Sequence, residues 1–139
     1  MKLNSYLMFN GQCEKAFKFY EQCLGGKITD MMTYASSPDS SMTEQMPPEW
    51  NDKIMHTALL VDGQELMGSD CPPGYSEEPK GFSVSIGLDN PAEAEHIFHT
   101  LAENGTVTMP LQQTFWAYRF GMLVDQFGIP WMINCEQAA

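Results

Sequence analysis

Apolar and polar residues follow the same order of patterns in the two halves of this 139-residue chain. In the first half, residues 3–9 form a short apolar run typical of a buried strand. Residues 16–24 then place apolar side chains at helical spacing. Gly25-Gly26 predicts the end of that helix, since glycine readily adopts the left-handed conformation that follows a helix. Three further strands are predicted over 27–35, 54–61 and 64–69, the last two as a hairpin around Asp62-Gly63.

The second half repeats this order. Residues 82–88 predict a strand, and Asn90-Pro91 predicts a helix start with a capping side chain and a proline at the first helical position. Apolar residues from Ala94 to Leu101 then form one stripe, and Asn104-Gly105 predicts the helix end. The remaining strands are predicted over 106–114, 118–125 and 130–135. Each half is therefore a strand, a helix and three strands.

Matching segments support an internal repeat. Leu-Val-Asp at 60–62 recurs at 123–125, so the two aspartates lie 63 residues apart, whereas the helices match with an offset of 78 residues. We therefore predict an α+β fold of tandem βαβββ modules within one domain, residues 1–139, with module 1 at 1–72 and module 2 at 80–139. A Pro/Gly-rich linker lies between the modules, and residues 36–53 are predicted to be a long loop.

Composition excludes several classes of partner. The formal net charge of −11 disfavours nucleic acid and anionic membranes, because the surface repels phosphate. No apolar run approaches the ~20 residues of a membrane span, and no signal-peptide pattern is present. The four cysteines form no Cys-x-x-Cys pair, which indicates reduced thiols and a cytoplasmic location.

Three segments resemble a known family. They are Tyr6-Leu7-Met8-Phe9-Asn10-Gly11, then Thr114-Phe115-Trp116-Ala117-Tyr118-Arg119-Phe120-Gly121, and Asp125-Gln126-Phe127-Gly128-Ile129-Pro130-Trp131-Met132. The chain resembles the PhnB-like branch of the vicinal oxygen chelate superfamily, which includes glyoxalase I, bleomycin-resistance proteins and extradiol dioxygenases. The resemblance implies that two modules form a U-shaped cleft and that the protein is a homodimer. It does not imply a substrate.

In metal-dependent members of this superfamily, the ligands lie on the first and last strands of each module. The resemblance places these positions on Ser5, Met67, Ser83 and Met132. Hydroxyls and thioethers do not suit the divalent ions that activate oxygen substrates, which need imidazole and carboxylate ligands. We therefore expect no metal and no cofactor.

The same register predicts which side chains line the pocket. If Ser5 faces the cleft, strand alternation places Leu7 there too, with Tyr6 and Met8 beneath the helix. In the second module, Ser83 and Ser85 face the cleft by the same rule. The pocket would be mostly apolar with scattered hydroxyls, which suits a small, partly apolar ligand.

A few side chains could supply chemistry. His56 and Arg119 match at the 63-residue offset and could bind an anion or move a proton; the alternative is a structural histidine and a surface arginine. Glu65 is the carboxylate candidate for a general base. Trp116 and Tyr118 could stack on a flat ligand or pack in a core or dimer interface. Cys13, at a helix start, is a weaker candidate for a nucleophile.

These observations favour a glyoxalase-like, PhnB-like protein that binds a small molecule without the usual divalent metal. One alternative is a non-catalytic, ligand-sequestering protein of the bleomycin-resistance type. Another is a metal-dependent lyase, isomerase or dioxygenase of the same superfamily, and an inert dimeric scaffold is a third. The residues leave enzyme and binding protein both open, since this fold serves both.

Overall fold

The computed structural model describes residues 1–37, 47–72, 74 and 77–136, in two compact units, Met1–Glu77 and Glu78–Ala139. The first unit contains β1 (Ser5–Phe9), α1 (Cys13–Leu24), β2 (Lys27–Thr33), β3 (Ile54–Val61) and β4 (Gln64–Asp70). The second contains β5 (Val84–Leu88), α2 (Pro91–Leu101), β6 (Thr106–Gln112), β7 (Arg119–Val124) and β8 (Pro130–Cys135). The predicted α+β fold with two βαβββ modules is confirmed. The centre of the predicted 36–53 loop, residues 38–46, lies outside the described residues.

The two sheets share one topology. Their strand orders are β1-β4-β3-β2 and β5-β8-β7-β6, with the first and last strands of each unit paired in parallel and the other pairs antiparallel. In each unit the helix packs on one face of its own sheet. We call the opposite face of each sheet its open face.

The helix side of the first sheet forms the core of the first unit. Ala16, Phe17 and Tyr20 of α1 are fully buried, and they pack over a sheet face that includes buried Leu7 and Leu59. Burying a large apolar side chain contributes about 1.5–3 kcal/mol, so this layer supplies much of the unit's stability. It also shows which way each strand faces, because buried and partly exposed residues alternate along β4.

The second unit repeats this packing. Asn90 caps α2 as predicted, since its side-chain oxygen accepts hydrogen bonds from the amides of Ala92 at 2.9 Å and Glu93 at 3.3 Å. Phe98 on α2 and Trp131 on β8 are almost completely buried.

A buried aspartate connects two separate segments of the first unit. The Asp70 carboxylate accepts hydrogen bonds from the backbone amides of Gly11 (2.8 Å), Cys13 (3.0 Å) and Ile54 (2.9 Å). It therefore joins the start of α1 to the start of β3. It also accepts a hydrogen bond from an amide at the N-terminus of α1, where the helix has no capping side chain of its own. The sequence pattern did not indicate this structural role of Asp70.

Asp125 also accepts several hydrogen bonds from residues of the last hairpin. Its carboxylate accepts hydrogen bonds from the amides of Phe127 (2.8 Å) and Ile129 (3.0 Å), and from the indole nitrogen of Trp131 (2.8 Å). Asp125 is buried, so these bonds satisfy polar groups that water does not reach. The Leu-Val-Asp repeat in the sequence thus includes a residue that organises the β7–β8 turn.

The structure contains the repeat, but the two units match with a register that is shifted by a single residue from the prediction. Buried Leu66 pairs with both Ser5 and Leu59, while buried Trp131 pairs with both Val84 and Leu123. Leu59 therefore corresponds to Leu123, and Ser5 corresponds to Val84. In both cases the matching residue of the second unit lies one position later than the sequence repeat predicts. Because side chains alternate between sheet faces, a slip of one residue moves every one of them to the other face.

Candidate functional site

The open face of the first sheet carries a mixture of polar and flexible apolar side chains. Cross-strand register and burial place on it Tyr6 and Met8 from β1, Asp30 and Met32 from β2, His56 from β3, and Glu65, Met67 and Ser69 from β4. None of these side chains is fully buried. The face is therefore accessible to a small molecule in the first unit taken by itself.

Three polar side chains form a row across this face. The phenol oxygen of Tyr6 lies 3.3 Å from Nδ1 of His56, and Nε2 of His56 lies 3.9 Å from an Asp30 carboxylate oxygen. In the tautomer with its proton on Nε2, the imidazole accepts from the phenol through Nδ1 and directs its own N–H towards the carboxylate. The rings of Tyr6 and His56 also approach, with centroids 5.9 Å apart. We call these residues the Tyr6–His56–Asp30 row.

Methionines surround this row. Met67 lies directly beside Tyr6 in the sheet register, and Met32 lies directly beside His56. Met8 is 59% exposed, so part of this apolar surface is open to solvent. Thioether side chains are flexible and polarisable, and they adapt to ligands of different shape.

The predicted orientation of the first strand is wrong. Leu7 is only 2% exposed and Phe9 only 4%, because both pack on the helix side, whereas Tyr6 and Met8 lie on the open face. Leu7 therefore belongs to the core and not to a pocket wall. Every residue of 6–9 is apolar or aromatic, so the sequence pattern could not distinguish the two faces.

Ser5 and Glu65 lie together at the start of the first sheet. Both line a surface cavity of about 420 Å³, with Leu60, Gln64 and the chain start around them. Ser5 is exposed and Glu65 is partly exposed. The structure thus brings two residues of the predicted site together, at a cavity that the sequence did not indicate.

The open face of the second sheet is more apolar. Phe120 and Met122 of β7, Met132 and Asn134 of β8, and Ser85 of β5 share this face. Ser83, one residue before β5, has the same strand parity and is partly exposed. Met67 and Met132 occupy corresponding positions beside the first strand of each unit, opposite Tyr6 and Ser85.

Arg119 lies on the helix side of its sheet, whereas His56 lies on the open face of its own sheet. The predicted pairing of these two residues is therefore wrong. The Arg119 guanidinium lies 3.6 Å from a Glu95 carboxylate oxygen on α2 and 4.3 Å from the centre of the Tyr118 ring. Arg119 is on the helix side, as is Gly121, whose position faces Phe98. The residue that corresponds to His56 is Phe120, one position further along.

An aromatic loop precedes β7. Thr114 closes the loop on Ala117 through backbone and hydroxyl hydrogen bonds, which hold Phe115 and Trp116 outward. Phe115 is 97% exposed and Trp116 is 53% exposed. The Trp116 ring lies edge-on to Phe120, with centroids 5.4 Å apart. The loop therefore presents exposed aromatic side chains, with Tyr118 held beneath Arg119, and ligand stacking stays a prediction.

The cysteines are poor candidates for chemistry. All four are buried and form no disulfide. Burial, with the negative charges of Asp70 and Glu14, raises the pKa of Cys13 far above its usual value of 9.0. The thiolate is the nucleophilic form, so burial makes Cys13, the weaker candidate from the sequence, unsuited to act as a nucleophile.

The described residues contain no group of three or more His, Cys, Asp or Glu side chains arranged to hold a metal ion. The described helices include none that is both long and apolar enough to cross a membrane.

Comparison with known proteins identifies relatives along almost the whole chain. The family model described as the Glyoxalase/Bleomycin resistance protein/Dioxygenase superfamily matches residues 2–133. Protein YjdN of Escherichia coli (strain K12) is 33% identical, over 96% of this chain and 95% of that protein. The crystal structure of PA1353 from Pseudomonas aeruginosa is 47% identical, covers 99% of both chains and superposes with a TM-score of 0.89.

Two further structures share this fold. The PhnB protein from Bacillus cereus is 25% identical over 97% of this chain and 99% of its own, with a TM-score of 0.76. The fosfomycin resistance protein FosX from Listeria monocytogenes is 10% identical over 99% of this chain and 94% of its own, with a TM-score of 0.67, a likeness of fold alone.

Proposed function

Because the chain belongs to the glyoxalase/bleomycin resistance protein/dioxygenase superfamily, we propose that it binds a small, partly apolar molecule on the open face of its first sheet. The observation that carries this proposal is the Tyr6–His56–Asp30 row, which sets polar groups within a methionine-rich surface. A few placed polar groups among apolar side chains are typical of small-molecule sites. The sequestering function expected from bleomycin-resistance-like relatives requires no more than this.

Three features support the row as the polar centre of the site. Its groups offer both a donor and an acceptor, since the phenol can do either and the imidazole carries one of each. His56 is partly exposed, with 30% of its side chain accessible, so a ligand can reach it. Met32 and Met67 lie beside the row in the sheet register, where they can contact an apolar group of the same ligand.

A divalent metal of the usual superfamily type does not fit these residues. Where the first and last strands pair at corresponding open-face positions, they hold Tyr6 and Met67 in one unit and Ser85 and Met132 in the other. A phenol, a hydroxyl and two thioethers do not supply the imidazole nitrogens and carboxylate oxygens that Zn²⁺ or Fe²⁺ prefers. We expect metal analysis of the purified protein to find no stoichiometric Zn, Fe, Ni or Mn. A tightly held ion at full occupancy would overturn this part of the proposal.

The binding proposal can be tested with 4-methylphenol and toluene as a matched pair of probes. Both present an apolar ring, but only 4-methylphenol has a hydroxyl for the row. With methionine methyl groups labelled with ¹³C, 4-methylphenol should shift the resonances of Met32 and Met67. Toluene should bind about fivefold or more weakly, since one hydrogen bond contributes about 1 kcal/mol.

The matched control variants are His56→Ala and His99→Ala. His99 is an exposed histidine on α2, in the other unit. His56→Ala should remove the preference for 4-methylphenol over toluene, and His99→Ala should retain it. Thermal unfolding of both variants shows whether they fold. Equal binding of both probes to the unsubstituted protein, or an unchanged preference in His56→Ala, contradicts the proposal.

Proton transfer is a second candidate function, favoured by the order carboxylate, imidazole and phenol in the row. A histidine between a carboxylate and a hydroxyl can accept a proton while the carboxylate stabilises its charged form. Glu65, on the same face, is the other candidate base. Catalysed exchange of the methyl protons of acetophenone in D₂O, lost in His56→Ala but retained in Glu65→Gln, would assign this role to His56. Exchange that is absent, or unaffected by His56→Ala, contradicts it.

A further inference from the structure

A surface cavity lies where α1 and β3 begin, on the helix side of the first sheet. Its volume is about 360 Å³, and it is lined by Gly11, Glu14, Lys15, Lys18, Asp52, Lys53, Ile54 and Asp70. None of these residues was placed on an open face, so this lysine cavity is separate from the site proposed above. Three of the six lysines of the chain line it, although the formal net charge is −11. An anion that most of the surface repels therefore meets a local group of cations here.

Most carboxylates of the lysine cavity already have partners. An oxygen of Glu14 lies 2.6 Å from Nζ of Lys18, one helical turn later. The buried carboxylate of Asp70 accepts hydrogen bonds from three backbone amides, whose N–H dipoles offset its charge. Asp52 is exposed and forms no ion pair within the described ranges. Asp52 is therefore the carboxylate that most directly opposes a bound anion.

Two of the lysines retain hydrogen-bond donors for a ligand. Nζ of Lys53 donates to the carbonyl oxygen of Gly11 at 3.1 Å. An ammonium group has three N–H donors, so this bond leaves two of them. Lys15 is exposed and has no ion pair in the part of the chain that the structure describes. The bond to Gly11 also holds the Lys53 ammonium at the cavity, which lowers the side-chain entropy lost when a ligand binds.

We propose that the lysine cavity binds a phosphoryl group, either as inorganic phosphate or as a small phosphate monoester. Lys15 and Lys53 donate hydrogen bonds to its oxygens, and Lys18 adds positive charge from the same face of α1. A phosphoryl group suits three flexible ammonium groups, since above its second pKa of about 6 it carries nearly two negative charges and three strong acceptor oxygens. This goes beyond the function proposed above, because it concerns another surface and another class of ligand.

Methyl phosphate and trimethyl phosphate test this proposal as a matched pair. Both have a tetrahedral phosphorus, but only methyl phosphate is an anion. In ¹⁵N-labelled protein, methyl phosphate should shift the amide resonances of Glu14, Lys15 and Lys53 with saturation, and trimethyl phosphate should not. Raising the ionic strength from about 0.01 M to about 0.1 M should weaken binding, because the screening length falls from about 30 Å to about 10 Å. Inorganic phosphate is titrated in parallel, and the tighter binder of the two anions identifies free phosphate or a monoester as the ligand.

Variants change the charge of the lining in both directions. Lys15→Met and Lys53→Met remove an ammonium group at similar side-chain length, so each should weaken methyl phosphate by about two- to fivefold. Lys27→Met, at an exposed position of β2 outside the cavity, is the matched control and should retain the affinity. Glu14→Gln frees Lys18 from its ion pair and should strengthen binding by about twofold. Lys15→Met keeps the bond from Lys53 to the backbone, so it provides a readout if Lys53→Met fails to fold.

Several results would overturn the proposal. No saturable shift with either phosphate anion at millimolar concentration, or equal shifts with trimethyl phosphate, would each do so. An equal loss of affinity in Lys27→Met and Lys15→Met would show an effect of net charge alone and would refute the site. Acetate that binds as tightly as methyl phosphate would refute the preference for a phosphoryl group. None of these results affects the 4-methylphenol experiment, which reports on the open face through Met32 and Met67.

Discussion

Replacement of Asp70 by asparagine tests how the first unit is held together. One carboxylate oxygen of Asp70 accepts hydrogen bonds from the amides of Gly11 and Cys13, and the other accepts one from the amide of Ile54. Asparagine has the same shape, but its amide nitrogen can only donate. Whichever way it is oriented, at least one backbone N–H of this set faces a donor in place of an acceptor.

The magnitude follows from the burial of the site. Asp70 is 1% exposed, so water does not compensate a lost bond. Hydrogen bonds to a charged group contribute about 1.5–3 kcal/mol each, and the bonds that remain lose their charge assistance. We therefore expect Asp70→Asn to lower the free energy of unfolding by about 3 kcal/mol. For a chain of this size that corresponds to a fall in Tm of roughly 6–12 °C.

The assay is urea unfolding together with amide hydrogen exchange. Protection should fall at the amides of Cys13 and Ile54 but not at the amide of Ile129, which donates to Asp125 in the other unit. Asp89→Asn, at an exposed position, is the matched control and should leave the free energy of unfolding within about 0.5 kcal/mol. If Asp70→Asn also stays within that range, or exchange changes equally in both units, the reasoning is refuted.

Three further predictions concern packing, pH and assembly. Gly68→Ala should destabilise the protein by about 1–3 kcal/mol, because the added methyl would lie 2.6 Å from a ring carbon of Phe17, whereas Gly87→Ala meets open space and should be nearly neutral in the same urea assay. Burial raises the pKa of Cys13 and Tyr34 in the folded state, so their contribution to stability is complete below about pH 8.5 and is lost as the pH rises above it. The urea midpoint should fall between pH 8.5 and about 10.5, less steeply in Cys13→Ala, and a flat profile would contradict the pKa assignment. Light scattering should give about twice the chain mass, and a monomer at micromolar concentration would contradict the expected homodimer.

Much of the fold was predictable from local patterns. The helical stripes around Tyr20 and Phe98, and the cap at Asn90, indicated both helices, and their outcome agrees with the structure. Glycine and proline positions separated the strands well enough to predict both βαβββ modules. These patterns depend only on residues that are close in the sequence, so they can be recognised without knowledge of tertiary contacts.

The site was predicted less well. His56, Met67 and Met132 lie on open faces, and Tyr6 and Asp30, which the sequence did not place in a pocket, lie on the same face as His56. Residues 6–9 are all apolar or aromatic, and β2 contains a bulge between Ile28 and Asp30, so neither strand shows a clear alternation in the sequence.

The sequence by itself determined the number, type and order of the elements and the existence of the repeat. Only the tertiary structure decided the register of that repeat, and with it the faces of Leu7, Tyr6 and Arg119. The physical reason is that side chains alternate along a strand with a period of two, so a shift of one residue preserves every element and reverses every face. Long-range contacts, such as those between Asp70 and three amides of two distant segments, choose between the two registers.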